Sequence, residues 1–212
     1  MSEREKNGSF SVSEIFWSAQ GEGLNTGRSA IFVRLSGCSI RCRYCDQKAA
    51  WEAGERLELA VLMERVAALK ERYPSSIAVI TGGEPLEQDI TPLVTALKEM
   101  GFFTAIETAG SLFSDLPLDW WAVAPKPNLD FAIHPALIGR IHEVKLVVSA
   151  GLDIETVETV RRQVPSAPIF LQPQFFDPQK YERAFQLFQQ CQQRSIPDVR
   201  LGQQLHTVYK IR

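Results

Sequence analysis

The chain has no surplus of charge of either sign: 23 Lys and Arg against 25 Asp and Glu leave a formal charge of −2 over 212 residues. That balance offers no general surface for nucleic acid or for an anionic membrane, both of which rest on clustered positive charge. Long apolar runs are also lacking, and none approaches the roughly 18 residues that a membrane-crossing helix needs. The opening stretch MSEREKNGSF has no apolar segment of the secretory kind. The expectation is a cytoplasmic chain with no nucleic acid and no membrane as partner. Cysteine is limited to 4 residues and histidine to 3; in a reducing compartment such cysteines read as free thiols or ligands rather than disulfides. Internal repeats, low-complexity tracts and linker-like stretches are missing as well. With 45% hydrophobic residues, the chain reads as one domain, 1–212, around one sizeable core.

From residue 30 onward, short apolar strands alternate with helical patterns. AIFVRLS (30–36), SIAVIT (76–81), FFTAIET (102–108), WWAVAP (120–125), HEVKLVV (142–148) and PIFLQP (168–173) read as buried strands, with DVRL (198–201) as a last short one. LELAVLMERVAALKERY (57–73), TPLVTALKEM (91–100) and the stretches 153–163 and 178–194 read as helices, the second ended by Gly101. Continuous apolar strands alternating with helices predict an α/β fold with parallel strands and outer helices. Some six such units are too few for a closed eight-fold barrel, so the expectation is a partial (β/α) barrel of about six parallel strands. Functional groups in such folds gather at the carboxyl ends of strands. The cysteine loop, GGEP, ETAG (107–110), APKP, the stretch after KLVV and LQPQ all sit there, and are expected to face one shared cavity.

Three of the cysteines, Cys38, Cys42 and Cys45, fall in SGCSIRCRYCDQ (36–47) with spacing C-x3-C-x2-C. Cys191, late in a helical stretch among glutamines, reads as a small buried apolar residue. Structural zinc wants four closed tetrahedral ligands, so a zinc site would have to borrow one of the scattered His134, His142 or His206. A four-iron cluster normally takes four thiolates, and three leave one iron free for another ligand. TGGEP (81–85) ends the next strand. Its glycines let backbone pass close to a ligand, and its carboxylate complements an ammonium. The plainer reading is a strand-to-helix turn in which Pro85 starts the helix.

The cysteine loop, with aromatic Tyr44 before Cys45, resembles the radical S-adenosylmethionine (SAM) superfamily, and GGE resembles that superfamily's methionine-binding segment. SEIFWSAQGEGLNTGRSAIFVRLSGC (13–38) is similar to the N-terminal segment of the 7-carboxy-7-deazaguanine synthase family, through Glu14, Ile15, Phe16, Gln20, Gly21, Glu22, Gly23, Gly27, Arg34, Gly37 and Cys38. The likeness continues through ETAGS (107–111), APKP (124–127), VKLVV (144–148), LQPQ (171–174) and the terminal QLHTVYKIR. The resemblance implies a radical SAM lyase that converts 6-carboxy-5,6,7,8-tetrahydropterin to 7-carboxy-7-deazaguanine with loss of ammonia. The reaction belongs to 7-deazapurine (queuosine) synthesis, in the tRNA modification pathway. A 5′-deoxyadenosyl radical would abstract hydrogen from C6 of the pterin, and ring contraction would follow.

Carried position by position, the resemblance implies a [4Fe-4S] cluster on Cys38, Cys42 and Cys45. It implies SAM on Gly83, Glu84, Ala124, Pro125, Lys126, Gln172, Pro173 and Gln174. Substrate would meet Ala19, Gln20, Gly21, Glu22, Arg34, Thr81, His206 and the carboxylate of Arg212. The plainer alternatives are a surface arginine at 34, ordinary loop polars at 20 and 22, and a solvated charge at Lys126. An electron donor such as flavodoxin or ferredoxin and a homodimer follow from the same likeness. One position departs from it: the family often has threonine after Cys-Asp, where a hydroxyl helps hold a substrate-bound Mg2+, and here the residue is Gln47. A neutral, longer amide suits tight octahedral Mg2+ less well. Two rival readings share the cysteine spacing: a glycyl-radical activase acting on a protein, and a zinc- or cluster-binding module without catalysis.

Overall fold

The computed structural model describes residues 8–149, 151–174 and 177–211. In chain order the elements are β1 (Ser9–Ala19), β2 (Ser29–Leu35), β3 (Glu55–Glu58), α1 (Leu59–Arg72), β4 (Ile77–Gly82), α2 (Thr91–Glu99) and β5 (Phe103–Thr108). They continue as β6 (Trp120–Val123), β7 (Glu143–Val148), α3 (Ile154–Gln163), β8 (Ile169–Pro173), α4 (Pro178–Gln193), β9 (Val199–Leu201) and α5 (Leu205–Tyr209). Contacts divide the chain into two compact units. One comprises Met1–Ser18, Ser29–Thr108 and Ser114–Trp120; the other comprises Ala19–Arg28, Ala109–Phe113 and Trp121–Arg212. Among the described residues no helix is long and apolar enough to cross a membrane.

In the first unit the strands run in the order β3-β1-β2-β4-β5. The β2–β4 and β4–β5 pairs are parallel, and β3 is antiparallel to β1. β2 is apolar on both faces because both are covered. Ala30 and Phe32 lie with Phe16, Ile77, Val79 and Ala105 in one cluster, where the Phe16 and Phe32 rings stack at 5.0 Å. Ile31, Val33 and Leu35 alternate onto the other face and are fully buried. α1 and α2 pack on β2 and β5 respectively, burying Leu62 and Val66 from one helix and Leu93, Val94 and Leu97 from the other. Each such side chain contributes about 1.5–3 kcal/mol on burial.

In the second unit the strands run β6-β7-β8-β9, every pair parallel. α4 packs on β7, β8 and β9 and against α3. Its buried face is Ala184, Leu187 and Cys191, while α3 buries Ile154, Val157 and Val160. Cys191 is therefore the packed apolar residue that its position predicts, and burial pushes its thiol up to about 11. Asp153 caps α3 by accepting from Thr156 N at 2.9 Å. Buried Arg161 closes the other end by donating to the carbonyls of Val164 and Ala167 at 2.9 Å.

The alternating parallel strands and helices expected from residue 30 onward are all present. Three elements were not anticipated: β1, β3 and α5. β1 carries only an interrupted period-two signal, with Phe10, Val12, Phe16 and Ser18 buried and Glu14 between them. β3 corrects the start of the first helix, because Leu57 and Glu58 belong to the strand and the helix begins at Leu59.

Asp119 ties the approach to β6 onto β5, accepting from Lys98 Nζ at 2.6 Å and from Thr104 N and Oγ1 at 2.8 and 2.9 Å. Burial acts to raise its carboxyl, but the bonds from Lys98 and Thr104 outweigh it and hold the group below the usual carboxylate range. A depressed folded-state value gives stability that is present above the unfolded value near 3.9 and is lost as pH falls through the folded one. Replacing Asp119 by Asn is expected to cost about 1 kcal/mol at neutral pH. In denaturant titrations at a series of pH values, that difference should shrink below about pH 4.

Candidate active site

The first unit's apolar face changes character towards the carboxyl ends of its strands. Register sets Arg34 of β2 beside Thr81 of β4, and Thr81 Oγ1 donates to Glu107 Oε2 of β5 at 3.2 Å. Arg34 Nε stands 2.8 Å from Glu14 Oε1 of β1, at ion-pair distance but without hydrogen-bond alignment. The guanidinium lies 5.2 Å over the Phe16 ring. At 12% side-chain exposure, Arg34 is not an outward surface residue. A polar row of Glu14, Arg34, Thr81 and Glu107 therefore caps the hydrophobic cluster below it.

The cysteine loop is sewn to this strand end through its backbone. Gly83 N donates to Leu35 O and Glu84 N to Gly37 O, both at 3.0 Å, while Gly37 N donates to Ala50 O at 2.9 Å and Cys38 N to Trp51 O at 3.2 Å. Gly83 has to be glycine, because a Cβ there would run into the carbonyl oxygens of Gly37 and Ala50. Glu84 is buried, and its Oε1 accepts from Thr108 Oγ1 at 2.6 Å and from Leu86 N at 3.2 Å. The GGE segment is thus both the turn that the plainer reading foresaw and the support under Cys38.

Cys38, Cys42 and Cys45 are free thiols, Cys42 buried and the other two half-buried. Cys45 N donates to Cys42 O at 2.9 Å, closing the turn between them. Gln47 N donates to Cys45 Sγ at 3.3 Å. Burial, and then the neighbouring Cys42 and Cys45, push the Tyr44 phenol well above its ordinary value. Among the described residues no three of His, Cys, Asp and Glu stand close enough together to hold a single metal ion. His134 and His142 each spend Nδ1 on a backbone N–H, of Ala136 at 3.2 Å and Trp121 at 3.1 Å. Neither therefore supplies the fourth ligand that a zinc site would need. Three soft thiols on one loop, one of them already accepting an N–H, fit an iron–sulfur cluster, whose potential such bonds to sulfur tune.

The second unit holds the loop from Gln20 to Arg28. Gln20 N donates to Arg28 O and Gly27 N to Gln20 O, both at 2.8 Å, and Gln20 Oε1 accepts from Glu22 N at 3.2 Å. Glu22 accepts from Lys145 Nζ of β7 at 2.9 Å and from Gln204 Nε2 at 2.8 Å. Leu205 N donates to Gly21 O at 3.0 Å, and the His206 ring lies against Gly21. Gln20, Gly21, Glu22 and His206 are thus brought together, with Ala19 leading in at the end of β1. Ala124, Pro125 and Lys126 follow β6, and Lys126 O accepts from Phe131 N at 3.0 Å. Pro173 is buried at the end of β8. Gln172 is 1% exposed, and its Oε1 is buried without a hydrogen-bond partner. Gln174 Oε1 accepts from Lys180 Nζ at 2.8 Å. Arg212 lies outside the described residues.

Residues that the sequence left without a role are Glu107 and Thr108 in the first unit, and Glu143, Lys145 and Gln204 in the second. For Glu143 and Lys145 a signal was present: two charges at alternate positions inside an otherwise apolar strand.

Comparison with known proteins sets the class first: the family model described as the radical SAM superfamily matches residues 32–165. The chain is 34% identical to the 7-carboxy-7-deazaguanine synthase of Synechocystis sp., over 84% of each chain. It is 36% identical to that of Pyrobaculum aerophilum, over 82% of this chain and 83% of the relative. The crystal structure of QueE from Escherichia coli superposes with a TM-score of 0.76 at 28% identity, covering 92% of this chain and 94% of that one. The chain belongs to the radical SAM superfamily and, within it, to the 7-carboxy-7-deazaguanine synthase family. The likeness agrees with the expected partial (β/α) barrel of radical SAM type.

Because the Gly83 backbone leaves no room for a Cβ beside Gly37 and Ala50, Gly83→Ala should displace the base of the cysteine loop. Iron bound per chain after anaerobic reconstitution is expected to fall by more than half, with a loss of about 1–3 kcal/mol in stability measured by thermal melting. Wild-type iron content would show that the loop tolerates the shift.

Proposed function

We propose that this chain converts 6-carboxy-5,6,7,8-tetrahydropterin to 7-carboxy-7-deazaguanine with loss of ammonia. The observation that carries the reading is the seam joining Gly37 and Cys38 to Gly83 and Glu84, which puts the three-thiol loop and the GGE turn at one strand end. Cys38, Cys42 and Cys45 would hold the [4Fe-4S] cluster. Gly83, Glu84, Ala124, Pro125, Lys126, Gln172, Pro173 and Gln174 would hold SAM. Bound there, cluster and SAM supply one-electron hydrogen-abstraction chemistry, which no side chain of the protein can perform.

The chain's own residues bind and orient. Glu84, fixed by Thr108 and Leu86, offers a carboxylate to the methionine ammonium. The unpartnered Gln172 Oε1 is a buried acceptor awaiting a donor. Arg34 engages Glu14 through Nε, which leaves its fork end for the pterin carboxylate. Gln20, Gly21, Glu22, Thr81, His206, Ala19 and the Arg212 carboxylate complete the substrate contacts, and exclusion of water protects the reactive species. The chain acts as one domain in a homodimer in the cytoplasm, with flavodoxin or ferredoxin supplying the electron. Anaerobic incubation with a reductant, SAM and the tetrahydropterin should yield the deazaguanine by mass; SAM cleavage without that product would sink the reading.

Mg2+ is assigned mainly to substrate and water. At position 47 the bond to Cys45 comes from backbone N–H, and a glutamine amide oxygen, though an acceptable hard-cation ligand, is neutral and reaches further than a threonine hydroxyl, while Mg2+ demands tight octahedral geometry. Turnover in chelator-treated buffer is expected to stay within about fivefold of that with Mg2+. Gln47→Ala should leave this ratio unchanged; complete loss without metal, matched by Gln47→Ala with metal, would overturn the assignment.

A further inference from the structure

β7 presents Glu143 and Lys145 at alternate positions, and therefore on one face. Both reach the loop that carries Glu22. Glu143 Oε2 accepts from Leu24 N at 2.6 Å, and a Cβ at Gly23 would collide with that carboxylate. Lys145 Nζ donates to Glu22 Oε2 at 2.9 Å, with side-chain exposures of 5% for the lysine and 18% for the glutamate. Gln204 Nε2 takes the other oxygen at 2.8 Å. One strand thus grips the loop twice, by its backbone and by its charge.

A buried ion pair is a weak source of stability, because desolvation offsets most of the attraction. Its value here lies in what it leaves available. A carboxylate accepts about four hydrogen bonds, two on each oxygen. Lys145 and Gln204 take one position each, on Oε2 and Oε1, so each oxygen keeps a further acceptor position. Such a pair of acceptors matches a ligand edge with two adjacent N–H donors, which the amino-pyrimidinone ring of a pterin presents.

We propose that Lys145 is a positioning residue for substrate recognition: it holds the Glu22 carboxylate in place, so that its remaining acceptor positions meet the paired N–H edge of the pterin. The proposal rests on the reading of the substrate given above. Lys145 touches neither substrate nor cofactor in this role and acts through Glu22.

The test is a double-mutant cycle on reconstituted enzyme, with rates expressed per bound cluster. Lys145→Met should raise KM for the tetrahydropterin at least about tenfold while kcat changes less than about threefold. Glu22→Gln should do likewise, and the double variant should be no worse than Glu22→Gln alone, since Lys145 then has nothing to aim. Should Lys145→Met fail to fold, Lys145→Gln, which keeps a donor but drops the charge, replaces it in the cycle. Multiplying effects in the double variant, or a KM within about twofold of wild type for the lysine variant, would overturn the proposal. A wild-type enzyme that does not convert the pterin overturns the substrate reading and this role with it. An active wild type with a multiplicative cycle overturns the role alone.

Discussion

Four backbone hydrogen bonds govern the first unit: Gly83 to Leu35, Glu84 to Gly37, Gly37 to Ala50 and Cys38 to Trp51. The first two carry the parallel pairing of β2 and β4 past the last paired residues, Leu35 and Gly82, and the other two tie the start of the cysteine loop to the turn Lys48–Trp51. The position of a reactive loop is thereby inherited from the register of a sheet. Register is the better-determined quantity, because a one-residue slip would turn Ala30, Phe32 and Val79 out of their cluster. The hydrophobic core and the thiol loop are therefore not independent features. The core fixes the register, the register fixes the seam, and the seam sets where Cys38 begins.

Both units also bury charge where a simpler design would place apolar residues. Arg34 and Lys145, paired with Glu14 of β1 and Glu22 of the loop, each sit inside a strand that is largely apolar. Neither arrangement is an efficient stabiliser, since apolar replacements of similar volume commonly do as well or better. What such pairs supply is directional polarity at a fixed place. The Arg34 row lies above an aromatic and aliphatic plug of Phe16, Phe32 and Val79, so a ligand contacting it would find rigid support beneath. Charge that costs stability is easiest to account for where the chain has to recognise something polar.

Most of the architecture was legible because buried parallel strands are written as continuous apolar runs, and runs such as SIAVIT and HEVKLVV leave little choice. β1 was harder to see for a physical reason. It alternates serine with Phe10 and Val12 and then carries Glu14, so its apolar content is diluted and its polar residues read as loop. β3 was masked by the helical pattern that follows it directly. Within the site, the thiols and GGE were legible from local spacing. The partners of Glu22 were not, since Lys145 and Gln204 lie 123 and 182 residues away along the chain and nothing local couples them. Local motifs report chemistry; only the fold reports what holds the chemistry still.

Gln47 illustrates the division between the two kinds of information. In sequence it stands out as a departure from a threonine common in the family, and the difference is entirely one of side chain. In the structure its backbone N–H donates to Cys45 Sγ at 3.3 Å, where the residue opens the short turn Lys48–Trp51. Any residue other than proline supplies that donor. A hydrogen bond to a cluster-ligating sulfur acts on the potential of the cluster, whereas a side-chain oxygen acts on a hard cation beside the substrate. The donor belongs to the backbone, so a side chain can change there without disturbing the bond to the sulfur. A change of side chain at position 47 therefore leaves the thiol loop as the register of β2 and β4 sets it.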